Sequence, residues 1–244
     1  MAKRKFKNEM YNNQVPKIDK KLEAAMNAAT STTEIIVYGD IGDSWWGDSI
    51  SAGDIDYALK DVKTDNITVR INSPGGDAFD GITIYNRLKD HPAKVKVIVD
   101  GWACSAASII AMAADELVMN TGSMLMIHQA SIGIYGNKDE LVKEAELLGK
   151  LDSSIVDIYM TKSKVDRSEI EQMVKNETWF TAEEAIGIGF ASSVEDTNVN
   201  TETKQDAEAF KNSVIARFKK EPQQPATSAA SNNILANFKR NSNE

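Results

Sequence analysis

Up to about residue 33 the chain is mostly polar, and from Glu34 it becomes patterned. Ile35-Ile36-Val37-Tyr38 is a short apolar run that stops at Gly39-Asp40, as a buried strand does. Similar short runs, rich in β-branched residues or methionine, recur at Ile67–Ile71, Val95–Val99, Glu116–Met119 and Met124–Ile127. Between them, residues 52–62, 78–90 and 105–114 carry apolar positions three and four apart, as at Phe79, Ile82, Ile84, Tyr85 and Leu88, which is helical spacing. Strands alternating with helices of this length predict an α/β architecture.

From Lys138 to Lys162 no proline and one glycine interrupt the chain, and Leu141, Ala145, Leu148, Leu151, Ile155 and Ile158 repeat at three or four. That is one long amphipathic helix, roughly 37 Å from end to end, more than one face of a domain this size covers. It is expected to project or to pack on another subunit. A helix over 168–174, a strand over 178–180 and a helical turn at 182–185 follow, and the domain closes near Val194. The predicted division is a polar basic extension over 1–33, with a short helix at 20–29, a folded domain over 34–196, and a tail over 197–244. The tail holds a helix at 203–220 and then linker composition in Glu221-Pro-Gln-Gln-Pro-Ala. Both ends are read as flexible, solvated extensions.

Charge separates these parts. The net charge is −8, yet residues 1–21 carry seven Lys/Arg against two acids and 204–244 carry seven against four, which leaves 22–203 at −16. An acidic body argues against nucleic acid as a ligand of the folded part. No run of about 18 apolar residues predicts a membrane span, and the N-terminus lacks the apolar segment of a signal peptide. Cys104 is the single cysteine, so neither an intramolecular disulfide nor a cysteine–histidine zinc site is expected, and the expected compartment is the cytoplasm.

Three segments carry candidate chemistry. In Ile71-Asn72-Ser73-Pro74-Gly75-Gly76-Asp77 a strand turns into a helix through two glycines, which free the backbone to aim N–H groups at an anion; a tight turn without chemistry has the same composition. Val99-Asp100-Gly101-Trp102-Ala103-Cys104-Ser105 also leads through a sharp turn into a helix. Ser105 there is either a helix cap or a nucleophile whose neighbouring N–H shares an oxyanion with the glycine turn. Of the two histidines, His91 sits in a Lys-Asp-His-Pro loop, and His128 ends an apolar run, either as a core histidine or as a base within reach of Ser105.

Taken together, the three segments resemble the proteolytic subunit of Clp proteases over roughly residues 34–195. Asn72-Ser73-Pro74-Gly75-Gly76 is similar to that family's oxyanion loop, Gly101-Trp102-Ala103-Cys104-Ser105 to its nucleophile turn, and Met126-Ile127-His128-Gln129 to its histidine motif, in the same order with separations of 29 and 23 residues. The resemblance implies a crotonase-like (Clp protease) fold of the α/β class and a serine endopeptidase, with Ser105 as nucleophile, His128 as general base, and the Gly76 and Ala106 N–H groups as oxyanion hole. It aligns Trp179-Phe180-Thr181-Ala182-Glu183-Glu184-Ala185 with the segment after the family's acid. Glu177 thus stands where Asp is usual, with Asp166 as the spare candidate. No metal or organic cofactor is implied. A homo-oligomer, ring-forming through the long helix, is implied as partner.

Ser105-Ala106-Ala107-Ser108 replaces the usual Ser-Met-Gly-Ala, and basic ends flank the domain. Both features look more like the Clp-related head-maturation (prohead) proteases of tailed phages, which trim capsid and scaffolding proteins. This reading implies protein substrates, self-cleavage of the tails, and a setting in the host cytoplasm or the prohead interior. Three readings stay beside it: a housekeeping Clp subunit served by an ATP-driven unfoldase, a crotonase-type acyl-CoA enzyme, and a non-enzymatic assembly scaffold.

Overall fold

The computed structural model of the chain describes residues 18–42 and 49–195. Within them the order is β1 (Lys21–Asn27), β2 (Thr32–Tyr38), β3 (Asp40–Ile41), β4 (Ser49–Ile50), α1 (Ala52–Leu59), β5 (Asn66–Ser73), α2 (Ala78–Lys89) and β6 (Lys94–Cys104). Then come α3 (Ala106–Ala111), β7 (Glu116–Asn120), β8 (Met124–Ile127), α4 (Lys138–Met160), α5 (Arg167–Lys175), β9 (Thr178–Thr181), α6 (Ala182–Gly187) and β10 (Ser193–Glu195).

Strands β2, β5, β6, β7 and β10 run parallel in that spatial order. Their alternation places Ile35 and Val37, Ile67, Val69 and Ile71, Val95, Val97 and Val99, and Leu117 and Met119 in the buried core. Ile55 and Leu59 of α1, Ile84 and Leu88 of α2, and Ile109 and Ile110 of α3 belong to the same core, so one apolar cluster joins sheet and helices. Start signals written in the sequence set the helices. Ser51 with Asp54, Asn137 with Glu140, and Thr181 with Glu184 form capping boxes, and Asp77 accepts from the N–H groups of Phe79 and Asp80. Such caps are each worth about 1 kcal/mol.

Strand β6 serves two ladders. Its first half pairs with β5 and β7, whereas Trp102–Cys104 pairs in parallel with β8, which in turn pairs antiparallel with β9. The change of partner falls at Asp100-Gly101, where the β5–β6 register slips from Ile71↔Val99 to Ser73↔Ala103. Asp100 is held there by Tyr38 Oη (2.6 Å), Arg70 Nε (2.9 Å) and Asn120 Nδ2 (2.8 Å), all donating to its carboxylate. Gly101 leaves room for Asn72, since a Cβ at that position would meet Asn72 Oδ1 at 2.7 Å.

The short helix expected over 20–29 is instead strand β1, paired with β2 along its whole length from Lys21↔Tyr38 to Asn27↔Thr32. Ala24 to Met26 is an unbroken apolar run, yet every residue of β1 but Leu22 is exposed, as on an edge strand. The expected tail over 197–244, its helix at 203–220 and the first part of the N-terminal extension lie outside the described residues. The long helix is present as α4: its C-terminal half buries Ile155, Val156 and Tyr159, while Leu141, Val142 and Leu147 in its N-terminal half are exposed.

Candidate active site

Ser105 follows β6 directly and precedes α3. Its backbone lies at φ 55°, ψ −124°, a conformation that costs a residue with a side chain about 1–3 kcal/mol and persists only under external constraint. The constraint is visible. The Ser105 N–H donates to the Met126 carbonyl of β8 at 2.9 Å, and every residue of α3 on its other side is buried. Its side chain makes no helix-capping bond; Oγ lies 2.8 Å from His128 Nε2. The capping alternative is thereby set aside.

His128 is one residue past the end of β8, whose Met126 pairs with Cys104 of β6. The spacing of serine and histidine is therefore set by a strand ladder rather than by a loop. His91 lies elsewhere, in the turn between α2 and β6, where its Nδ1 accepts from the Ala93 N–H at 3.1 Å; burial and the nearby Arg87 hold its pKa below the usual histidine range. Cys104, the neighbour of Ser105, is fully buried in a small cluster with Met126, against which Trp102 and Trp179 pack.

The two glycines of the Asn72–Gly76 loop are required by close approach. A Cβ on Gly75, which has φ +86°, would lie 2.3 Å from the Cys104 carbonyl oxygen and 2.7 Å from Ser105 Cβ, and one on Gly76 would lie 1.8 Å from the Ile41 carbonyl oxygen. Ile41 bridges Gly76 in parallel fashion: its N–H donates to the Gly75 carbonyl and its carbonyl accepts from the Asp77 N–H, both at 3.0 Å. This pairing turns Gly76's own N–H and C=O to the side away from Ile41. Ala106 is the first residue of α3, so its N–H has no acceptor within the helix.

For the acid, the β8–β9 register ends with Ile127 opposite Thr178, and the next positions in that register are His128 and Glu177. Glu177, like Ser105, is one of three non-glycine residues with positive φ among the described residues, at 53°. Asp166 stands at the start of α5 without a side-chain cap bond, roughly 15 Å away along the helix. The fold thus brings Ser105, His128, Gly76 and Ala106 together, and continuing the strand register puts Glu177, not Asp166, across from His128.

Ser105 and His128 open onto a cleft of about 470 Å³ walled by Ile41, Phe79, Ile109, Leu148, Leu151 and Ile155. Three residues escaped the reading of the sequence. Asp152 of α4 accepts from the Ala130 N–H (2.8 Å) and Gln129 Nε2 (3.0 Å), pinning the chain just past the histidine. Ser108 and Tyr159 join hydroxyls at 2.8 Å in the core. A tyrosine on the buried stripe of α4 was the available signal, because a buried phenol needs a polar partner.

Comparison with known proteins accords with this fold. The profile of the Clp protease family matches residues 17–198. The ATP-dependent Clp protease proteolytic subunit of Deinococcus radiodurans is 32% identical over 132 residues, which are 53% of this chain and 65% of that protein. Subunit 1 of the corresponding Chlamydia abortus protease is 33% identical over 128 residues, 51% of this chain and 67% of that protein. The match thus spans just under two thirds of the first of these relatives. Among solved structures, a ClpP1 mutant from Listeria monocytogenes superposes with a TM-score of 0.59 at 23% identity, covering 69% of this chain and 93% of that one, and so has the same fold. The chain belongs to the Clp protease family.

Proposed function

We propose that this protein is a serine endopeptidase in which Ser105 is the nucleophile, His128 the general base and Glu177 the carboxylate that orients the imidazole. The observation that carries the reading is the 2.8 Å contact between Ser105 Oγ and His128 Nε2 at a strained turn that opens on a cleft. His128 takes the hydroxyl proton as Oγ attacks a peptide carbonyl, and the Gly76 and Ala106 N–H groups receive the oxyanion. His128 then protonates the leaving amine, and water repeats the sequence on the acyl-enzyme. A fluorophosphonate probe should label the native full chain once, on the peptide that contains Ser105, and unfolded casein should be cut. A folded protein that neither reacts nor cuts would sink the reading.

The finer proposal is head maturation: cleavage of capsid or scaffolding proteins and of its own tails, in the host cytoplasm or the interior of a precursor shell. The Ser105-Ala106-Ala107-Ser108 sequence at the nucleophile turn and the basic ends on either side of the folded domain support it. An ATP-driven unfoldase as partner is the second reading, favoured by the names of the curated relatives, which are ATP-dependent subunits. On the first reading, intact mass should show active protein losing terminal peptides with time while Ser105→Ala protein stays whole. Active protein that remains uncut, and degrades folded substrates only when an unfoldase and ATP are added, selects the second.

Assembly into a homo-oligomeric ring is proposed through α4. Leu148 and Leu151 of its apolar stripe line the cleft, so the residues left to make that contact are the exposed Leu141, Val142 and Leu147. Replacing these three with Asp is expected to lower the native mass in sedimentation, with an unchanged circular-dichroism spectrum. A monomer already in the unaltered protein would refute the assignment.

A further inference from the structure

The core behind the nucleophile turn contains a polar chain that packing does not require. Ser108 is fully buried and Tyr159 is 1% exposed, both among the apolar residues of α3 and α4. Ser108 Oγ donates to the Ser105 carbonyl at 2.6 Å and lies 2.8 Å from Tyr159 Oη. A serine has one hydroxyl proton, so the direction is fixed: Tyr159 donates to Ser108, and Ser108 donates to Ser105. Burial pushes the Tyr159 phenol far above the usual tyrosine range, which keeps it a donor at every working pH. The Ser105 carbonyl also accepts from the N–H groups of Ser108 (2.9 Å) and Ile109 (3.2 Å), so three donors converge on one oxygen.

That oxygen belongs to the same peptide unit as the Ala106 N–H. In a planar trans peptide the two point in opposite directions, so whatever holds the Ser105 carbonyl toward α3 holds the Ala106 N–H toward the cleft. The unit is under tension. With φ at 55°, the preferred ψ is that of the left-handed well, near +47°, and the observed −124° is roughly 170° away. Relaxation of Ser105 toward that well rotates the peptide and carries the N–H out of the oxyanion position. A serine bonding back to the i−3 carbonyl is common in helices. Here the acceptor is the carbonyl of the strained residue, and a buried tyrosine from another helix fixes the hydroxyl that reaches it.

We infer that Tyr159 and Ser108 are positioning residues that lock the Ser105–Ala106 peptide, and with it one donor of the oxyanion hole. The inference rests on the proposed nucleophile. Removing an oxyanion donor outright costs on the order of 10²–10³-fold in rate, and loosening one costs less.

The test is the rate of fluorophosphonate labelling of the full chain, in which Ser105 Oγ forms a bond to phosphorus, fluoride leaves and His128 takes the proton. Ser108→Ala should lower the limiting rate about tenfold, a fraction of the loss for a donor removed, with the half-saturating probe concentration unchanged. It should also lower Tm, because the Tyr159 hydroxyl loses its acceptor. Tyr159→Phe alone, which leaves the Ser108 bond in place, should stay within about threefold. The double variant decides: with both hydroxyls gone, Tm should recover relative to Ser108→Ala while the labelling rate stays low. A rate that recovers together with Tm, or Ser108→Ala labelling at the unaltered rate, overturns the lock. An unaltered protein that takes no label overturns the nucleophile assignment instead.

Discussion

Ser105→Ala is expected to lower peptidase activity by on the order of 10⁴-fold or more, and Cys104→Ala to leave most of it. The adjacent cysteine is the serious rival, since a thiolate is intrinsically the better nucleophile. Strand geometry separates the two. Cys104 is the last residue of β6 and is packed in a sealed cluster with Met126, whereas Ser105 has left the strand and points its oxygen at His128. A buried thiol in apolar surroundings is held in its unreactive neutral form. Cys104→Ala removes only a sulfur from that cluster, at about 1–2 kcal/mol of stability. Casein cleavage by both purified variants checks the prediction, and the opposite ranking of the two would move the nucleophile.

Glu177→Gln is expected to lower kcat by on the order of 10²–10⁴-fold with little change in KM, because a neutral amide neither fixes the productive tautomer nor balances the imidazolium. Asp166→Asn should remain near the unaltered rate. Asp166 makes no side-chain cap bond at the start of α5, and Asn serves equally well at that position. A second variant separates function from folding. Glu177 has φ 53°, so Glu177→Gly relieves backbone strain and should hold or raise Tm while kcat still falls. Normal turnover in Glu177→Gln combined with loss in Asp166→Asn would transfer the role of orienting acid to Asp166.

Much of this was written locally. The alternating apolar runs at Ile35, Ile67, Val95, Glu116 and Met124 are strands, and the capping sequences at Ser51, Asp77, Asn137 and Thr181 begin helices where expected. Ser105 and His128 were legible because a serine after a strand and a histidine at a strand end are informative when the chain has so few histidines. β1 was missed because Leu22-Glu23-Ala24-Ala25-Met26 is made of strong helix formers, and tertiary pairing with β2 overrides that preference on an exposed edge. Asp152 and the partner of Tyr159, Ser108, were missed for another reason. Their roles come from contacts between elements 20 to 50 residues apart, which no local spacing encodes.

The two-ladder course of β6 has a consequence in time. During synthesis the ribosome releases Ser105 before the histidine it needs: β8 must emerge to set His128, and β9 follows only with Thr178–Thr181, near the end of the described domain. Until β8 has added, Ser105 has neither the carbonyl of Met126 to hold its strained turn nor an imidazole beside it. A nascent or partly unfolded chain therefore carries a serine without hydrolytic power. Strand order thus delays the pairing of Ser105 with His128 until the sheet around them has closed.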